Sequence, residues 1–457
     1  MKWLLFISRI LVGSLFIVSG LIKANDTTGF SYKLEEYFAE DVLNWVIFQG
    51  WEVGLAMIVA IAEILLGFAT LAGEKFKLNS WALLILMIFF TFLTGYTAIG
   101  NWFFENPDTS LTGTFEGILG FSAENIHYFK DCGCFGDALM LTPFQSFLKD
   151  LVLLVFTVIM FIGRNRVVPN SHSRDLFIYA ISIVILGSFS IFVLEWFFPV
   201  VFTLVTFVIM LTIKRLSTSD ENRGWVMAIA VLLVSGGFTY YAYAHLPVED
   251  FRPYAIGKNI EEGMTIPEGK KPPQYAVNYT MKDTITGKTK VVSSDKYLED
   301  EIWKDKQLKI VETSDQFLVE EGYIPPIHDF VLEDPESGED YTTMILNQDY
   351  VLFWVQYDMS KTETGAMNDV KKLSEIAMQS NFNVYGLTAA LPGEIDEFRH
   401  KYQLMFPYLT CDATTLKTII RSNPGLVLLK NGTVKGKWHH NDIPTFEELK
   451  NQVQASS

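Results

Sequence analysis

The sequence predicts two parts of different kind: a multi-pass α-helical membrane region over the first 245 residues and an α/β domain at the C-terminus. Three observations predict this. Seven apolar stretches approach the ~20 residues a helix needs to cross a bilayer core. The chain turns polar after His245. From about Pro326, short β-branched or aromatic runs alternate with amphipathic ones, the pattern of a mixed sheet with helices on its faces.

The apolar stretches run near 3–22, 51–72, 79–98, 148–163, 175–192, 195–213 and 225–244. Only Leu194-Glu195-Trp196 separates the fifth from the sixth, and Pro199 suits a helix start, so two spans are expected there. The first stretch has the length of an export signal ending at Ala24. Arg9 interrupts its apolar run, however, and Lys23 stands where a cleavage site wants small residues, so a retained transmembrane helix is expected.

Lysine and arginine in short loops set orientation. The loops at 74–80, 163–174 and 213–223 are basic, whereas 24–50 and 99–147 are mostly acidic. The basic loops are therefore expected in the cytoplasm. Seven spans would then place the C-terminal domain outside it. The net charge of −16 and the lack of a basic cluster argue against a nucleic-acid partner, which needs a cationic surface.

Residues 246–325 carry one hairpin signal, YAVNYTM and TKVVSS around DTITGK, followed by the charged run DKYLEDEIWKDKQ. A linker with a small β element is expected. Beyond it, strands are read at 351–357, 383–389, 406–412, 425–430 and 433–440, with Asn431-Gly432 as a tight turn between the last two. Helices are read at 368–379, 393–402, 414–422 and 444–452.

The motif that raises a chemical question is 131-DCGCFGDA-138, before the fourth span and on the side predicted to be outside. A structural zinc wants four nitrogen or sulfur ligands. Cys132 and Cys134 give two, His127 a third, and no fourth is apparent, so no metal site is expected. A disulfide between residues two apart needs a bent backbone, which Gly133 permits. Such a ring would be strained, and strained disulfides are the reducible ones. A reversible redox pair and a glycine-shaped turn both remain open. The third cysteine, Cys411, is expected to be a small buried hydrophobe.

Charges within spans cost about 2.5–3.5 kcal/mol each on insertion scales, so they are paired or functional. At about 1.5 Å per residue, Arg9 and Glu63 lie at ~9 and ~13 Å depth, which predicts an Arg9–Glu63 ion pair inside the bundle. It would serve as a clamp or as a polar site for a quinone head group or a proton relay. Lys23, closing the first helix, and Asp150, opening the fourth, are expected to pair at the outer end. Gly13, Gly20, Gly67 and Gly73 suggest close helix contacts. Tyr96, Trp102, Phe103 and Phe104 read as an interfacial aromatic belt.

Two resemblances extend this reading. RILVGSLFIVSGLIKA, AEILLGFATLAG and CGCFGD followed by FLKDLVLL make residues 1–165 resemble the DoxX/MauE group of four-helix membrane proteins, with 166–245 adding three helices. Members near the methylamine-utilisation branch are thought to help mature disulfide-rich exported proteins beside a thioredoxin-like partner, and others are linked to quinone oxidation. Residues 326–457, above all 421-RSNPGLVLLKNG-432, resemble the extracytoplasmic thioredoxin-like and peroxiredoxin-like group. That resemblance implies a cis proline at Pro424. The group's Cys-x-x-Cys would fall at YDMSKTETG, which contains no cysteine and hence no nucleophile.

Together these imply a bacterial inner-membrane protein that handles thiols of exported clients. Cys132 and Cys134 would exchange, a membrane quinone would take the electrons, and a redox-dead domain would hold client or partner. The rival expectation is a scaffold or assembly subunit of an envelope complex.

Overall fold

The computed structural model describes residues 2–40, 42–105, 135–217, 220–313, 317–320 and 322–455. Among the described residues, the first half holds seven helices long and apolar enough to cross a membrane. These are α1 (Lys2–Asn25), α3 (Glu52–Ala72), α4 (Phe76–Glu105), α5 (Pro143–Gly163), α6 (His172–Phe192), α7 (Phe198–Leu216) and α8 (Asp220–His245), with a short α2 (Thr27–Phe38) after the first. The region read as two spans is indeed α6 and α7. Trp196 N donates to Ser190 O at 2.9 Å across their turn, and Pro199 lies in the first turn of α7.

Glycines fix how α1 meets α3. A Cβ on Gly67 would stand 2.8 Å from Gly13 O, and one on Gly20 would stand 2.9 Å from Ala60 O. The backbones therefore touch directly, as small residues allow. Gly20 faces Ala60 and Ile64 while Gly13 faces Gly67 and Leu71, so the helices are antiparallel and facing residue numbers add to 80–84.

The segment 24–50, read as a loop, contains α2. Asp26 caps it by accepting from Gly29 N at 2.8 Å, and Leu34, Tyr37 and Phe38 bury against Ala56 and Leu93. Helix α5 starts earlier than its apolar run. A capping box sets the start: Thr142 N donates to Gln145 Oε1 at 3.1 Å, and Gln145 N to Thr142 Oγ1 at 3.3 Å.

After α8 come α9 (Ile260–Met264), strands β1 (Gln274–Ala276), β2 (Asn278–Asp283) and β3 (Thr289–Ser293), α10 (Ser294–Glu299), β4 (Leu308–Thr313) and β5 (Phe317–Glu320). The expected hairpin is β2–β3. It is joined by β4 into a three-stranded antiparallel sheet, while β1 pairs with β5.

The C-terminal region contains α11 (Thr342–Leu346), β6 (Val351–Gln356), α12 (Met367–Gln379), β7 (Asn383–Thr388), α13 (Pro392–Tyr402), β8 (Tyr408–Thr410), α14 (Ala413–Ile419), β9 (Gly425–Lys430), β10 (Thr433–His439) and α15 (Phe446–Ala455). Its sheet order is β10-β9-β6-β7-β8. Strands β6, β7 and β8 run parallel, and β9 and β10 antiparallel to their neighbours. Every residue of β6 is buried because helices cover both faces. Phe353 and Val355 enter one core and Leu352 and Trp354 the other, following the two-residue period of a strand. Tyr254 and Ile260, upstream of the small sheets, also bury in the first of these cores.

Candidate functional site

Two polar clusters are candidates for a functional site. The first is inside the helices. Lys23 Nζ lies 2.9 Å from Glu63 Oε1 and 3.0 Å from Oε2, and it donates to Ser19 Oγ at 2.7 Å. Both charged side chains are buried. The expected Arg9–Glu63 pair is therefore not formed. Arg9 instead donates to Thr70 O (3.1 Å), Leu71 O (3.0 Å) and Asn170 Oδ1 (3.2 Å), closing the C-terminal end of α3. The α1–α3 register explains the difference. Arg9 faces positions 71–75, about two turns beyond Glu63, whereas Lys23 comes within a side chain's reach of it.

The expected Lys23–Asp150 pair is replaced as well. Asp150 bonds the neighbouring Lys149 at 3.0 Å, and Lys149 Nζ sits 4.5 Å from the centre of the Phe135 ring. Because α5 begins at Pro143, Asp150 lies about two turns inside the helix rather than at its start. Lys23, Glu63, Lys149 and Asp150 nevertheless line one cavity of about 160 Å³.

The second cluster joins the bundle to the sheet domain. Arg421 Nε lies 3.0 Å from Asp26 Oδ1, and Arg421 Nη2 lies 2.9 Å from Asp26 Oδ2 and 3.2 Å from Asp137 Oδ2. Burial pushes the Arg421 guanidinium down, but Asp26 and Asp137 overcome this and hold it above its ordinary value. Burial likewise pushes the Asp26 carboxyl up, and Arg421 and Arg252 bring it below the usual carboxylate range. Beside this cluster, Asp250 accepts from Arg252 Nε and Lys437 Nζ, both at 2.6 Å. Asn25 receives Val248 N at 2.9 Å and donates to Glu249 O at 2.8 Å, tying the end of α1 to the chain leaving α8.

Arg421 opens the loop that holds Pro424, and the Asn423–Pro424 peptide is cis. The loop packs on the segment after β6: Asn423 Nδ2 donates to Asp358 O at 2.6 Å, and Glu363 N to Asn423 O at 2.8 Å. Tyr357, at the end of β6, meets Tyr32 of α2 edge-on with ring centres 6.3 Å apart. This edge of the sheet domain thus faces the bundle. Cys411 is elsewhere, buried in the sheet core, and burial pushes its thiol up to about 12.

Cys132, Cys134 and His127 lie outside the described residues. The next residue, Phe135, is buried in the bundle core, and Asp137 makes the bond to Arg421. Among the described residues no group of three His, Cys, Asp or Glu side chains could hold a metal. Tyr96 of the expected aromatic belt donates to Val42 O at 3.2 Å.

These features define a multi-pass membrane protein whose bundle is joined to an α/β region. More particularly, residues 1–102 match the family described as Methylamine utilisation protein MauE, so the stretch carrying Arg9, Lys23 and Glu63 is similar to that family. The match stops before α5 and the sheet domain. A search of curated proteins gives no match.

Proposed function

We propose that this protein handles thiol–disulfide exchange for exported proteins at the bacterial inner membrane, with its sheet domain outside the cytoplasm. A Cys132–Cys134 disulfide would take two electrons and two protons from a client dithiol. A membrane quinone would then reoxidise the pair and leave as quinol. The observation that carries this reading is the Asp137–Arg421 contact at 3.2 Å. It ties Asp137, three positions after Cys134 in the sequence, to the Pro424 loop, so the segment that follows the cysteine motif docks on the sheet domain.

The sheet domain is read as thioredoxin-like without the active-site thiols. Its strand order and the position of Pro424 beside the cysteine-free segment Tyr357–Gly365 support this. Without a thiolate at that place the domain is read as binding or bracing rather than exchanging disulfides. The similarity of residues 1–102 to the MauE family favours a maturation role over unspecific redox chemistry. The test is client oxidation in cells carrying Cys132→Ser with Cys134→Ser. Clients that stay reduced support the reading, and normally oxidised clients reduce the protein to an assembly scaffold.

A further inference from the structure

The cavity beside the Lys23–Glu63 pair has properties that neither packing nor hydration explains. Its volume is about 160 Å³, close to the ~150 Å³ of an engineered cavity that takes one benzene ring. Four phenylalanines, Phe16, Phe90, Phe135 and Phe189, contribute to its walls. Asp150 is buried, lines the cavity, and its Oδ2 has no hydrogen-bond partner among the described residues. An unpaired carboxylate oxygen in such surroundings costs more than a typical hydrogen bond returns, so a donor is wanted there.

Water answers this poorly. A space of this size would hold about five molecules at liquid density, each needing 2–4 polar partners. Lys23 already donates to both Ser19 and Glu63, and most of the remaining wall is apolar. One flat ring carrying a hydroxyl fills the space against the phenylalanines, in offset or edge-on contact. Its hydroxyl brings the missing donor to Asp150.

We propose that this cavity binds the ring of a lipid-soluble hydroquinone, with Asp150 Oδ2 accepting its hydroxyl proton in a hydrogen bond and the phenylalanines holding the ring. The proposal rests on the thiol-exchange reading for its purpose, since that reading needs a two-electron carrier in the bilayer. Its geometry is independent of the cysteines.

The test is native mass spectrometry of the full-length protein in detergent with two probes, 2-decylhydroquinone and its dimethyl ether. The ether keeps the ring and tail but has no hydroxyl to donate. One hydroquinone should be retained saturably per chain, and the ether at least 10-fold more weakly. Leu139→Trp, which fills the cavity, and Asp150→Leu, which removes the acceptor, should each lower hydroquinone retention at least 10-fold. Loss of retention in either variant counts only if its elution profile matches the wild type, and the contrast between probes needs no variant. Equal retention of both probes, or no retained probe, as a water-filled space would give, overturns the site. Thiol exchange by Cys132 and Cys134 in a protein that retains no probe leaves the thiol reading standing and rejects only this cavity.

Discussion

Arg421 and Asp26 form a two-bond ion pair, 3.0 and 2.9 Å, that joins the Pro424 loop of the sheet domain to the cap of α2 on the membrane bundle. Bidentate guanidinium–carboxylate geometry adds orientation as well as strength. The contact links residues 395 positions apart in the chain.

Replacing Arg421 with alanine should therefore loosen the domain junction. Breaking a fully buried pair costs about 3–5 kcal/mol. Asp26 keeps some contact with water, so about 2 kcal/mol is expected here. Limited proteolysis should cut between residues 246 and 273 faster in Arg421→Ala than in wild type, with Arg421→Lys between them. Unchanged cleavage would show that the pair does not hold the junction.

Lys23 and Glu63 should behave as an energetically coupled pair, and Arg9 and Glu63 should not. Glu63→Gln strands the Lys23 ammonium, and Lys23→Met strands the carboxylate. The double variant removes both problems, so it should be more stable than the sum of the two losses implies, by about 1–3 kcal/mol. Arg9→Gln removes the donors that close α3, and its effect should add to that of Glu63→Gln within about 0.5 kcal/mol. Thermal unfolding in detergent across both cycles checks this; coupling confined to Arg9 and Glu63 would contradict it.

The α1–α3 contact gives a steric prediction. The 2.8 Å from a Gly67 Cβ to Gly13 O is too short, and the obstacle is backbone rather than a flexible side chain. Gly67→Ala should cost about 1–3 kcal/mol through helix separation, whereas Gly54→Ala, with open space around it, should cost nothing measurable. Thermal midpoints compare the two directly.

Lys437 supplies a pH dependence. Burial first, and the Arg252 charge next, lower its amine to about 7 although it bonds Asp250. The unfolded amine titrates near 10.4, so between about 7 and 10.4 the unfolded chain binds more protons and stability rises with pH. Lost progressively as pH falls towards 7, this contribution should be absent in Lys437→Met. The stability difference, wild type minus variant, should grow from pH 7 to pH 9 by up to about 1.4 kcal/mol per pH unit. A flat difference would contradict the assignment.

The seven spans were legible because length and hydropathy alone define them, and the five strands because β-branched and aromatic runs stand between clear turns. Helix α2 was missed: its twelve residues bury one narrow stripe against α3 and α4, a stripe visible only once those helices are in place. The partner of Arg9 was missed for a different reason. Counting residues gives depth along an axis, whereas Gly13, Gly20 and Gly67 set which faces and registers meet. The position of Asp150 could have been found, since Thr142-Pro143-Phe144-Gln145 is a helix-start signal that the apolar window overrode. The Arg421–Asp26 pair had no local signal at all, because it depends on how two regions far apart in the chain dock.

The central claim, that Cys132 and Cys134 form a reversible pair, is tested most directly by counting alkylated cysteines with intact-protein mass spectrometry before and after mild reductant in isolated membranes. Cys411, buried with its thiol raised to about 12, should stay unlabelled throughout. The account predicts that reductant makes both Cys132 and Cys134 newly labelled in the same molecules. Full labelling of both before reductant, with no change after it, would contradict it.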